Sequence, residues 1–274
     1  MKRFLAFLLL VSLIPLAASA APTRIVSLAP SITKSLYLLG AEEQVAGVTI
    51  YCPPEAAAKE KIGTILEPNI EAIVALTPDL VIATKEGNSP ATVQKLKKLG
   101  LQVYVMDSVN SFSDICNGFI DLGSIVGKEE KAQAIVADAR HRIETVRSKA
   151  RSLAPVPVFW EVGAQPLFTV SKNSFVNDFM EFAGGKNIFK ETRARYPQIS
   201  SEEVVRRDPD VIILVDMGDV TSSEKKLWEK FKTLKAVRAG RVHVLNDTRF
   251  TDPTPAAIAD GVEKLFDILH RSHE

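Results

Sequence analysis

The chain has 274 residues, with 34 Lys and Arg against 33 Asp and Glu, so no basic excess marks it as a nucleic-acid binder. Hydrophobic residues make up 46% of it, enough to fill two cores of about 100 residues or more each. His141, His243, His270 and His273 fall at no ligand spacing, which argues against a histidine-built metal site.

Residues 1–20 read as a secretory signal. Lys2 and Arg3 precede an apolar run from Phe4 to Leu16, shorter than the roughly 20 residues a spanning helix needs, and Ala18-Ser19-Ala20 supplies a small-residue cleavage pattern. No cysteine follows the run, so the expectation is a soluble, exported, non-lipidated chain cleaved near Ala20, carrying a net charge of −1 once Lys2 and Arg3 are gone. Residues 24–29 (RIVSLA) read as a first strand, which Pro30-Ser31 turns into a helix over 32–39 stopped by Gly40. Residues 44–49 form a second strand, and Tyr51-Cys52-Pro53-Pro54 a loop, because paired prolines cannot continue a ladder. After a helix and strand over 69–83, a Lys-rich helix spans 90–99 and a strand 101–106. Strands alternating with helices at this spacing predict a parallel sheet.

Residues 128–153 contain no Gly or Pro and place Ala132, Val136, Ala139, Ile143, Val146 and Ala150 at helical spacing, a 26-residue helix about 39 Å long. Beyond it the pattern starts again: a strand over 156–162, a helix over 175–182 stopped by Gly184-Gly185, strands over 212–215 and 241–245, and a last helix over 255–269. Residues 69–83 (NIEAIVALTPDLVIA) and 200–214 (SSEEVVRRDPDVIIL) repeat at an offset of 131, which lays Pro78 on Pro209, Asp79 on Asp210 and Glu71 on Glu202. The expected fold is therefore α/β: a signal at 1–20, one lobe over 21–127, an interlobe helix over 128–153 and a second lobe over 154–274, with a ligand cleft between lobes.

In open parallel sheets, ligands bind beyond the carboxyl ends of the strands. That rule nominates Pro30, Tyr51, Ile65, Thr84 to Asn88 and Asp107 in the first lobe. In the second it nominates Gly163 to Phe168, Tyr196, Asp216 to Asp219 and Asp247 to Phe250. Loop aromatics on both sides (Tyr51, Phe168, Tyr196, Phe250) suit a flat, partly apolar ligand held between lobes. No nucleophile elbow, phosphate-cradling loop or dinucleotide fingerprint is present, so the chain reads as built to hold a molecule rather than transform it. An exported enzyme using the carboxylates at Asp216, Asp219, Asp247 and Asp252 stays as an alternative, as does an envelope interaction module. Glu71 and Glu202 each start a repeat helix, where the macrodipole favours a carboxylate, yet their recurrence once per lobe also suits two basic sockets on a membrane partner. Cys52 and Cys116 are compatible with a disulfide or with two separate thiols.

The duplicated Pro-Asp unit, the opening RIVSLAPSITKSLYLLG, the VAGVT strand, and AGGKNIF followed by YPQISSEEV resemble periplasmic substrate-binding proteins of ABC importers. Within that group the chain is most similar to the cobalamin-binding proteins, whose lobes are joined by one long helix. The resemblance implies a periplasmic monomer with no cofactor of its own, carrying a corrinoid with little hinge closure and docking on the importer permease through Glu71 and Glu202. It implies ligand contacts at Tyr51, Phe168 and Tyr196 (the last where a Trp is usual), and at Ile65 and Thr84, which fall on two further Trp positions. Asp247 and Arg249 are similar to acidic and arginine contacts near the family's last strand. Lys34 stands where the opening motif usually has Glu. A corrinoid precursor, a ferric siderophore and haem stay open as ligands, the anionic ones favoured if Lys34 and Arg249 face the cleft.

Overall fold

Three successive residues buried on both faces make β1 (Ile25–Ser27) the centre of a parallel sheet, a position that favours short apolar runs over alternation. A computed structural model describes residues 21–215, 221–245 and 253–271, with the backbone alone for 221 and 222. β1 lies between β2 (Val45–Val48) and β4 (Leu80–Thr84), and β3 (Glu60–Lys61) and β5 (Val103–Met106) extend the sheet in the order β3-β2-β1-β4-β5, every pair parallel. The helices α1 (Pro30–Leu38), α2 (Ile70–Ala75) and α3 (Pro90–Lys98) connect these strands. Pro30 and Pro90 occupy the first helical turn, where a missing N–H costs nothing.

The second sheet repeats the design. β6 (Val156–Ala164) lies between β8 (Gly185–Asn187) and β9 (Val211–Val215), and β10 (Val242–Leu245) follows β9, all parallel. β7 (Leu167–Thr169) is the departure: it returns antiparallel along β6 and carries Phe168 with it. The helices α6 (Phe175–Phe182), α7 (Ser201–Arg207), α8 (Thr221–Trp228) and α9 (Lys235–Arg238) complete this half.

The sequence repeat is a backbone repeat. Asn69 caps α2 by accepting from the Ala72 N–H at 3.1 Å, and Ser200 caps α7 by accepting from the Glu203 N–H at 3.3 Å. Each unit then turns through a left-handed residue, Thr77 at φ 45° and Asp208 at φ 46°. The amides of Asp79 and Asp210 donate to Arg24 O at 3.0 Å and Pro157 O at 2.9 Å, which stitches each repeat to the first strand of its own sheet. Asp tolerates a positive φ because its short polar side chain bonds locally, whereas β-branched Thr is strained there. Thr77→Asn is therefore expected to stabilise the fold by about 0.5–1 kcal/mol, a rise of a few degrees in melting temperature; an unchanged or lower value would show that the exposed Thr77 carries no strain.

Between the sheets lie α4 (Phe112–Ile125), α5 (Glu129–Ala150) and α10 (Pro255–His270). α5 is 22 residues long, shorter than the 26 expected, because the chain turns at Ser152 and Leu153 before Pro155. It is not an isolated strut. One continuous core runs from Ile25 and Ile32 through Phe119, Val136 and Ile143 to Trp160, Val176 and Leu265, so α4, α5 and α10 weld the two sheets together. Arg142 of α5 fastens α10, donating to Glu263 at 2.9 Å and to Asp260 at 2.5 Å. Cys52 and Cys116 are free thiols, so the possible disulfide is corrected to two separate sites. The Cys52 Sγ sits 3.2 Å from Lys61 Nζ in the loop after β2, while Cys116 is buried on α4, where burial pushes its thiol up to about 11. Among the described residues no helix is long and apolar enough to cross a membrane.

Candidate functional site

The carboxyl ends of both sheets open onto one cavity of about 760 Å³. Its first wall is built from Pro30 and Ser31 at the start of α1, Ile65, Thr84 at the end of β4, and Tyr104 and Met106 on β5. Trp160 and Val162 on β6, Phe168 on β7, Phe175 at the start of α6, and Arg195 and Tyr196 in the loop before α7 form the facing wall. Ile115, Gly118 and Phe119 of α4 line it as well. The cavity is within the 300–1,000 Å³ common for small-molecule sites and mostly apolar.

The first wall is held by one buried amide. The Asn88 side-chain oxygen accepts the Thr84 N–H at 2.9 Å, and its nitrogen donates to Ile65 O at 2.7 Å and Leu28 O at 3.3 Å. Three strand-end loops are thus joined at a single residue, and a buried amide with both ends satisfied is a rigid joint. Gly87 sits beside it because any Cβ there would come within 2.5 Å of Ile65. On α4, Ser111 and Asp114 form a reciprocal capping box, and the Phe112 N–H donates to Asp178 of α6 at 2.7 Å. Burial raises the Asp178 carboxyl above its ordinary range, partly offset by that amide.

Of the residues nominated from sequence, Pro30, Ile65, Thr84, Glu86, Asp107, Phe168 and Tyr196 come together around the cavity. Tyr51 does not: it is 67% exposed and outside the lining set, because its loop folds into a tight turn at Pro54–Ala56 that Lys61 fastens by donating to Ala56 O at 3.0 Å. Lys34 is likewise off the lining, which takes Ser31 and Ser35 from the same helix. Asp247 and Arg249, together with Asp216, Asp219, Phe250 and Asp252, lie outside the described residues. The face of α4 escaped the sequence reading, although Ser111-x-x-Asp114 followed by Phe112, Ile115, Cys116, Phe119 and Leu122 is a capping box on a helical apolar stripe.

Glu71 and Glu202 are both exposed, each the second residue of its helix. The Glu202 carboxyl is held below its ordinary range by its own backbone N–H and the Ser200 hydroxyl. Among the described residues no group of three His, Cys, Asp or Glu could hold a metal.

Residues 25–248 match the family described as periplasmic binding protein. The chain belongs to that family. A vitamin B12-binding protein of Vibrio parahaemolyticus is 31% identical over 238 residues, covering 86% of this chain and 85% of that one. The crystal structure of the periplasmic vitamin B12 binding protein BtuF of Vibrio cholerae superposes with a TM-score of 0.77 at 30% identity, covering 90% and 96% of the two chains. A periplasmic heme binding protein from Pseudomonas aeruginosa reaches a TM-score of 0.81 at 23% identity, covering 92% and 94%, a likeness of fold alone. These matches account for the parallel-sheet lobes, and they place the chain in a family of binding proteins.

Proposed function

We propose that this protein captures a corrinoid in the cleft between its lobes and presents it to an ABC importer permease in the periplasm, performing no reaction of its own. The observation that carries the reading is the cavity itself: aromatic rings from both lobes (Tyr104, Trp160, Phe168, Tyr196) face one mostly apolar space sized for a large flat molecule. The similarity to vitamin B12-binding proteins over most of the chain supports it. The corrinoid is cargo, so no cofactor is needed. A signal removed near Ala20 would deliver the chain to the compartment where such cargo is met. The core shared by α4, α5 and α10 favours a cleft whose walls move little against each other on loading.

Calorimetric titration of the stripped protein with cobalamin, cobinamide, haemin and a ferric siderophore tests this. Micromolar or tighter binding confined to the corrinoids is expected, and Phe168→Ala or Tyr196→Ala should each weaken it about tenfold, or ~1.4 kcal/mol. Binding of an iron complex with silence from both corrinoids would keep the importer role and discard the corrinoid.

A further inference from the structure

Among the described residues lining the cleft, Arg195 is the one cation, against Glu86, Asp107, Asp114 and Asp121. Its backbone belongs to the second lobe, where its carbonyl accepts from the Ser171 N–H at 3.0 Å. Its guanidinium reaches the first lobe. One terminal nitrogen donates to both Glu86 carboxylate oxygens, at 3.0 and 3.2 Å, and the other donates to Val109 O. Glu86 is held in turn by the Val109 N–H at 3.0 Å. The cation flanks Tyr196, with its guanidinium carbon 5.1 Å from the ring centroid.

A guanidinium beside an aromatic ring in a mostly apolar cleft is the group best suited to take a carboxylate from an anionic ligand. Here both of its terminal nitrogens are engaged, by Glu86 and Val109, only the buried Nε is left without a hydrogen-bond partner, and the other charged groups of the lining are carboxylates. We propose that Glu86 is a specificity-determining residue: by occupying Arg195 across the cleft, it makes the site discriminate against anionic ligands such as porphyrin dicarboxylates and in favour of amide-rich, uncharged or cationic ones. The inference deepens the corrinoid reading and rests on it for the favoured ligand, but not for the discrimination itself.

The test compares dissociation constants for haemin and cobinamide at pH 7.5 in wild type, Glu86→Gln, and the Glu86→Gln, Arg195→Gln double variant. The glutamine amide keeps an oxygen to accept the Val109 N–H, so the first substitution removes only the charge. The ratio of haemin affinity to cobinamide affinity should rise at least tenfold in Glu86→Gln and return to within threefold of wild type in the double variant. That reversal separates a freed cation from a loosened cleft, which the second substitution would not undo. An unchanged ratio in Glu86→Gln, or a rise that persists without Arg195, overturns the proposal. If no variant binds cobinamide, the corrinoid reading falls and the haemin series alone decides the role of Glu86. Thermal melts of all three proteins establish that each is folded.

Discussion

A Glu71→Ala, Glu202→Ala double variant is expected to bind its ligand as the parent does and to support less than a tenth of the parent's transport in cells or in vesicles carrying the permease. Neither glutamate lines the cavity, and both are exposed at the second position of short helices that the sequence builds twice. Each helix is fixed from within by a side-chain cap and from below by the amide of its Pro-Asp turn. Two carboxylates on rigid pedestals, one per lobe, can meet two cationic sockets only in one orientation. Exposed charges at a binding rim act chiefly on encounter rate and register, so the single variants should be slowed and the defect should deepen with added salt. The pair of measurements is decisive because a misfolded variant would lose ligand binding as well. Full transport by the double variant would end the docking role, leaving the helix macrodipole as the reason for both carboxylates.

The lobes were legible because the chain writes them twice. A Pro-Asp turn followed by a Val/Ile/Leu run reads as a buried parallel strand in either copy, and β4 and β9 fall at the 131-residue offset. The strand-end rule then found seven of the cavity residues without any knowledge of contacts. It failed at Tyr51, since the direction of a loop after a strand is set by its own turn and by Lys61, neither of which has a periodic signature. The Glu86–Arg195 pair is separated by 109 positions and joins two loops, so no local pattern announces it. β7 was invisible for a similar reason: it is a three-residue strand whose existence depends on β6 running long beside it.

Glu161→Gln is expected to stabilise the protein at pH 8 and to flatten its dependence on pH. Glu161 stands on β6 with 3% exposure, its carboxylate accepting from the Trp228 indole N–H at 2.7 Å. Burial, reinforced by the neighbouring Glu224 carboxyl and opposed by that indole, pushes it up to about 8. The unfolded chain releases this proton near the ordinary glutamate value, about 4.3. Between those two values the native state holds a proton that the unfolded state does not, so stability falls as pH rises, by up to about 1.4 kcal/mol per pH unit, and levels off above the native value. Glutamine supplies the same acceptor to Trp228 and a donor toward Glu224, with no charge to bury at any pH. The gain at pH 8 should therefore be on the order of 1–3 kcal/mol, seen as a melting temperature several degrees higher, and should shrink toward nothing near pH 5. Melts at pH 5, 6.5 and 8 give the answer: curves for parent and variant that stay parallel would mean Glu161 is ionised in the native protein, with the smaller cavity around Glu224, Trp228 and Lys230 supplying the solvation that burial otherwise denies it.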